Sequence, residues 1–220
     1  MKKVYVTWHD VQRQTQEILR QLQKDNWKPD YIVGITRGGL TLSNLLSQYL
    51  DVTMYTLDVR LRDGEHVPCE SNTKLAEIAF GMNDGRHSGA RWDVGQRKKV
   101  LIVDDINDSG ATINWIKQDW ENTINKKIDD NVLYVWDTIW HQTTRFAVLY
   151  DNVGSEADLK VNYAAEEINK IDDPSWIVFP WEEWWKWRES QTHHKWLLSL
   201  PLMHQNAFVT RVIWRDPLRQ

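Results

Sequence analysis

A chain of 220 residues, 41% of them apolar, suits one α/β domain with a small appendage and can bury a real core. The net charge of −4 gives no nucleic-acid footprint, and a single cysteine, Cys69, excludes an intramolecular disulfide and a thiolate zinc cluster. No stretch has the apolar length of a membrane span, and the polar start Met1-Lys2-Lys3-Val4 lacks a signal-peptide core, so a cytoplasmic protein without a membrane partner is expected.

In chain order, Thr7-Trp8-His9-Asp10 has the shape of a capping box, and Val11, Ile18, Leu19 and Leu22 recur at helical spacing, predicting a helix over 8–24. Tyr31-Ile32-Val33-Gly34-Ile35 reads as a buried strand that ends in the tight turn Thr36-Arg37-Gly38-Gly39, and Leu40 to Leu50 regains helical spacing. Met54 to Val59 predicts a second strand. Residues 60–98 are polar, mixed in charge and dotted with glycine, which predicts a long lid loop. Val100-Leu101-Ile102-Val103 is the clearest strand, followed by a helix from Ala111 to Ile124. Asn131 to Trp140 and Arg145 to Tyr150 read as further strands, and Trp176-Ile177-Val178-Phe179 as a last short one stopped by Pro180. Strand, loop and helix in alternation point to an α/β fold around a central parallel sheet flanked by helices.

The chemistry concentrates after the clearest strand. A buried parallel strand delivers Asp104 and Asp105 to the carboxyl edge of the sheet, where open α/β folds bind ligands. Ser109-Gly110-Ala111-Thr112 then opens a helix, whose unpaired N–H groups and two hydroxyls form a cradle for a phosphate. Two acids beside a phosphate seat make sense as acceptors for sugar hydroxyls or as neighbours of a magnesium ion. Asp108 stands one position before the cradle.

Four apolar residues, two acids, a spacer and Asp108-Ser109-Gly110-Ala111-Thr112 form a pattern that resembles the 5-phosphoribosyl-1-pyrophosphate (PRPP) motif of type I phosphoribosyltransferases. Val6-Thr7-Trp8, Thr36-Arg37-Gly38-Gly39-Leu40 and Trp176-Ile177-Val178-Phe179-Pro180-Trp181 stand in order around it, and together they resemble the bacterial xanthine-guanine phosphoribosyltransferases. The resemblance implies the type I fold over 1–188, with a lid over 60–98, a small hood over 172–182 and an extension of unassigned role over 189–220. It implies transfer of a phosphoribosyl group from PRPP to a purine base, a 6-oxopurine, with Mg2+ as cofactor. The same fold also serves non-catalytic PRPP- or nucleotide-sensing modules, which is the alternative.

The residue roles follow from the resemblance too. Arg37 and Gly38 would meet the pyrophosphate. Asp104 and Asp105 would engage the ribose hydroxyls, with Asp105 next to the metal. Asp108, Ser109, Gly110, Ala111 and Thr112 would hold the 5-phosphate, and Asp108 would act as general base near N7 of the purine. Trp176 would stack on the base and Ile177 would present backbone groups to it. The family's lysine for the 6-oxo group has no equivalent in Phe146 to Asn152, and Asn152 is its candidate substitute, since an amide can donate to an oxo group. Arg60, Arg62, Lys74 and Arg86 are the candidates for a lid cation. Of fourteen tryptophans, Trp176, Trp181, Trp184, Trp185, Trp187 and Trp196 share one short window; that aromatic density predicts an interface and a homo-oligomer.

Overall fold

The computed structural model describes residues 2–59, 61, 73–82, 93–128 and 133–182. The described chain divides into two compact units: residue 2 with residues 7–176, and residues 3–6 with residues 177–182. The larger unit holds a five-stranded sheet of β2 (Tyr31–Thr36), β3 (Thr53–Asp58), β4 (Val100–Asn107), β5 (Thr144–Asn152) and β6 (Tyr163–Ile168) in the order β3-β2-β4-β5-β6, parallel throughout. The short strands β1 (Lys2–Tyr5) and β7 (Ser175–Val178) pair as a separate two-stranded sheet. Val6, Val178 and Phe179 are buried in the smaller unit, where Phe179 stacks on Trp181.

Helix α1 (Trp8–Lys24) begins where its capping box lies: the Asp10 N–H donates to the Thr7 hydroxyl at 3.2 Å, and the Asp10 carboxylate accepts from the Thr7 N–H at 3.0 Å. The Thr7 hydroxyl also donates to the Asp10 carboxylate at 2.6 Å, and this bond, with that from the Thr7 N–H, holds the Asp10 carboxyl below its ordinary range. Val11, Ile18 and Leu22 form its buried stripe. Helix α2 (Gly39–Leu50) packs with α1 on one face of the sheet. The other face carries α3 (Thr73–Phe80), α4 (Ala111–Asn125) and α5 (Leu133–Thr138), which runs into a π-helical turn at Ile139–Thr143. Both faces of β2 and β4 are covered, which is why these strands read as continuous apolar runs.

Two expectations require correction. The segment Asn131–Trp140 is helical where it is described, not a strand. Val135, Trp136, Ile139 and Trp140 recur with helical period and are all buried; their β-branched and aromatic character concealed that period. Their rings build the core, with Trp140 stacked between Trp136 at 5.2 Å and Trp120 of α4 at 5.6 Å. Second, the stretch 60–98 is not a plain loop. It contains α3, whose Leu75, Ala76, Ala79 and Phe80 belong to the main core, and a 3-10 turn at Val94–Gln96. Much of the expected lid, including Arg60, Arg62 and Arg86, lies outside the described residues, as do Cys69, the later tryptophans and the extension from 189. Lys74 is exposed on α3. Among the described residues, no helix is long and apolar enough to cross a membrane.

Candidate active site

Strand order fixes where a ligand can sit. From β2 the chain moves outward to β3, then returns to the other side of β2 as β4, so the order in which strands are added reverses between β2 and β4. In doubly wound sheets that reversal opens a crevice at the carboxyl ends of the two strands. The register makes the opening visible. β2 and β4 are paired from Tyr31↔Val100 to Gly34↔Val103, whereas β2 stays with β3 to Thr36↔Asp58 and β4 stays with β5 to Asn107↔Asp151. The strands part just before Asp104.

Two loops line this opening, and glycines set their separation. Gly39, at the start of α2, faces the main chain of β4, and a methyl group there would overlap the Val103 carbonyl and the Asp104 Cα. A methyl on Gly38 would overlap the Asp105 carboxylate. The Arg37-Gly38-Gly39 turn, preceded by a cis Thr36–Arg37 peptide, is therefore seated directly on the acidic pair. Arg37 is exposed, Asp104 and Asp105 are half-buried, and the Asp105 N–H donates to Asp104 Oδ1 at 2.9 Å. Neither α2 nor α4 has a side-chain cap, in contrast to α1. Both helix starts thus offer first-turn N–H groups and the positive dipole end to an anion.

The cradle before α4 is held from behind. Gly110 has φ +84°, and a methyl group there would stand 2.6 Å from the Ala157 Cα. The Glu156 N–H donates to the Ser109 carbonyl at 3.1 Å, and the Asn114 amide donates to the Glu156 carbonyl at 2.8 Å and accepts from the Asp158 N–H at 2.7 Å. Ser109 and Ala111 remain exposed. Asn107, in the spacer, is buried and donates to Asp151 Oδ1 at 2.8 Å and to Ser155 Oγ at 2.9 Å, tying the ends of β4 and β5 together. Burial pushes the Asp151 carboxyl above its ordinary value, and the bond from Asn107 works against that rise.

Asn152 is buried in the floor beneath this loop. Its amide donates to the Asp108 carbonyl at 2.8 Å, and its oxygen accepts from the Gly154 N–H at 3.3 Å and the Lys170 N–H at 3.1 Å. Its polar atoms are engaged with the main chain. Asp108 itself is half-buried, and its Oδ2 lies 2.8 Å from Lys170 Nζ. Lys170 was not anticipated from the sequence. It follows β6, a strand of Ala and Glu with no motif around it. Of the two residues expected at the base, Trp176 projects from β7 half exposed and Ile177 is buried. Among the described residues no group of three or more His, Cys, Asp or Glu is arranged to hold a metal ion.

Residues 4–123 match the model of the phosphoribosyl transferase domain family. The chain is 25% identical over 185 residues to xanthine-guanine phosphoribosyltransferase of Cereibacter sphaeroides, covering 82% of this chain and 87% of that protein. It is 20% identical over 195 residues to xanthine phosphoribosyltransferase 1 of Saccharomyces cerevisiae, covering 82% and 90%. Among solved structures, a purine phosphoribosyltransferase from Pyrococcus horikoshii Ot3 is similar with a TM-score of 0.53 and 26% identity, over 83% of this chain and 95% of that one. With the family model matched over more than half of its length, and a parallel sheet that opens at the acidic loop, this chain belongs to the phosphoribosyl transferase domain family.

Proposed function

We propose that the protein transfers the 5-phosphoribosyl group from PRPP to a 6-oxopurine, releasing pyrophosphate and forming a nucleoside monophosphate. The observation that carries this reading is the seating of the Arg37-Gly38-Gly39 turn on Asp105, which sets a pyrophosphate loop, an acid pair and a phosphate cradle around one crevice. Arg37 and Gly38 take the pyrophosphate. Asp104 and Asp105 accept hydrogen bonds from the ribose hydroxyls. The Ser109 and Thr112 hydroxyls and the N–H groups opening α4 take the 5-phosphate.

The protein's contribution to the reaction is position and charge. The bond from C1 of the ribose to the pyrophosphate oxygen breaks, with its electron pair leaving on the pyrophosphate. The purine nitrogen forms the new bond from the opposite face, and the proton lost from N7 passes to the Asp108 carboxylate. The acid pair fits magnesium, which binds through one or two carboxylates together with substrate phosphates, and Asp105 is the residue to hold it. Bound there, the ion would neutralise charge on the departing pyrophosphate. Trp176 offers an exposed ring face for the purine. We place the protein in the cytoplasm as a homo-oligomer, with PRPP and the base as its partners.

A panel of purine bases incubated with PRPP and magnesium tests the reading. Pyrophosphate release with formation of IMP, GMP or XMP is expected. PRPP binding with no base consumed would favour the sensing alternative. Trp176→Ala is expected to raise KM for the base about tenfold, since stacking a base on an aromatic ring contributes ~1–3 kcal/mol. An unchanged KM in a folded variant would move the stacking role to another residue.

A further inference from the structure

We propose that Asn107 is a positioning residue for the 5-phosphate seat, acting through Ser155 and the turn that backs the cradle. The proposal rests on the transferase reading above and deepens it, because it names the side chain that sets one of the two anion seats. Asn107 is 6% exposed. A buried amide must find partners or cost stability, and an apolar side chain would fill the same space without that demand. Both hydrogens of its planar Nδ2 are used, one on Asp151 Oδ1 at 2.8 Å and one on Ser155 Oγ at 2.9 Å.

The two bonds do different work. The first joins strands that are already in register at Asn107↔Asp151, so it reinforces an existing ladder. The second leaves the sheet and reaches the turn that follows β5. That turn is the wall behind the cradle. The Ser155 N–H donates to the Asn152 carbonyl at 2.9 Å, and the Glu156 N–H donates to the Ser109 carbonyl at 3.1 Å. The Glu156 carbonyl in turn accepts from the Asn114 amide of α4 at 2.8 Å. Gly110 has no room for a methyl group because the main chain of Ala157 stands against it. Ser109 and Gly110 thus take their place from residues 156 and 157, and Asn107 holds the residue just before them. The Arg37-Gly38-Gly39 turn is seated instead on Val103, Asp104 and Asp105. A fault in the wall therefore reaches the 5-phosphate and spares the pyrophosphate.

That difference separates positioning from mere support of the fold. The experiment titrates PRPP and magnesium pyrophosphate into wild type, Asn107→Leu and Ser155→Ala by isothermal calorimetry, with thermal melting to establish folding. Pyrophosphate reports on the Arg37 turn alone, whereas PRPP carries the 5-phosphate as well. Kd for PRPP is expected to rise ~10-fold or more in Asn107→Leu and ~3- to 10-fold in Ser155→Ala, with Kd for pyrophosphate within about twofold of wild type, the scale of one lost hydrogen bond. Asn107→Leu also strips a donor from the half-buried Asp151 carboxylate and carries a stability cost. Ser155→Ala keeps that bond between the strands and answers the question if the leucine variant does not fold. Weakening of both ligands in equal proportion, or unchanged PRPP binding in Ser155→Ala, overturns the positioning role. A wild type that binds PRPP but not pyrophosphate overturns the division into two seats, and the proposal with it. A wild type that binds no PRPP overturns the transferase reading itself.

Discussion

Asp108→Asn is expected to lower kcat by ~10²–10⁴, the range over which a positioned general base contributes. The substitution is close to isosteric, and the side chain it alters is only half-buried. The loop stays in place because its anchors lie elsewhere: the Asp108 carbonyl is held by the Asn152 amide, and Asn107 is held by Asp151 and Ser155. A neutral amide at 108 would leave Lys170 without its carboxylate but would not break those bonds. PRPP affinity is therefore expected to change by no more than about fivefold, on the order of 1 kcal/mol for a partly exposed ion pair. Steady-state turnover with hypoxanthine and titration with PRPP check the two halves separately. Turnover near wild type would remove the general-base role from Asp108.

The second large effect concerns the cradle itself. Gly110→Ala is expected to lower stability by about 2–5 kcal/mol, combining ~1–2 kcal/mol for a left-handed alanine with ~1–3 kcal/mol for crowding against a packed neighbour. The neighbour is main chain, at Ala157, and cannot rotate aside. Either α4 or residues 156–158 must shift, and with them the N–H groups proposed to hold the 5-phosphate. Urea unfolding measures the first consequence and PRPP titration the second, where weakening by an order of magnitude is expected. Gly95→Ala is the comparison, because its methyl meets only the Asp93 carboxylate, at 3.4 Å or more. A Gly110 variant as stable as the Gly95 variant would show the turn to be more pliant than its packing implies.

The motif-bearing part of the site was legible in the sequence because its physics is local. A capping box fixes the start of α1 at Trp8, and continuous apolar runs mark β2 and β4. Acids followed by small residues at a helix start mark a candidate anion seat without reference to the rest of the chain. What stayed hidden depends on tertiary register. Between Tyr163 and Ile168, β6 consists of Ala and Glu, with weak strand propensity and little apolar pattern, at the edge of the sheet. Only its pairing with β5, ending at Asn152↔Ile168, brings Lys170 to Asp108. The sequence offers Asn152 as a candidate substitute for the family's 6-oxo-reading lysine, but its engagement with three main-chain groups could not be read from one dimension. α3 was obscured by the polar, glycine-rich stretches on both sides of it, which diluted four core residues in a window that reads as loop.

β2 and β4 part after four rungs, while each goes on pairing with its outer neighbour. The mouth of the crevice is thus dimensioned by main-chain ladders, with the Asn107 side chain tying the ends of β4 and β5. Such a frame can tolerate extensive sequence drift provided the few glycines at its hinge of contact stay small. Replacement of whole loops along its rim would alter what is admitted without resizing the frame, so new specificities can arise here at little risk to folding.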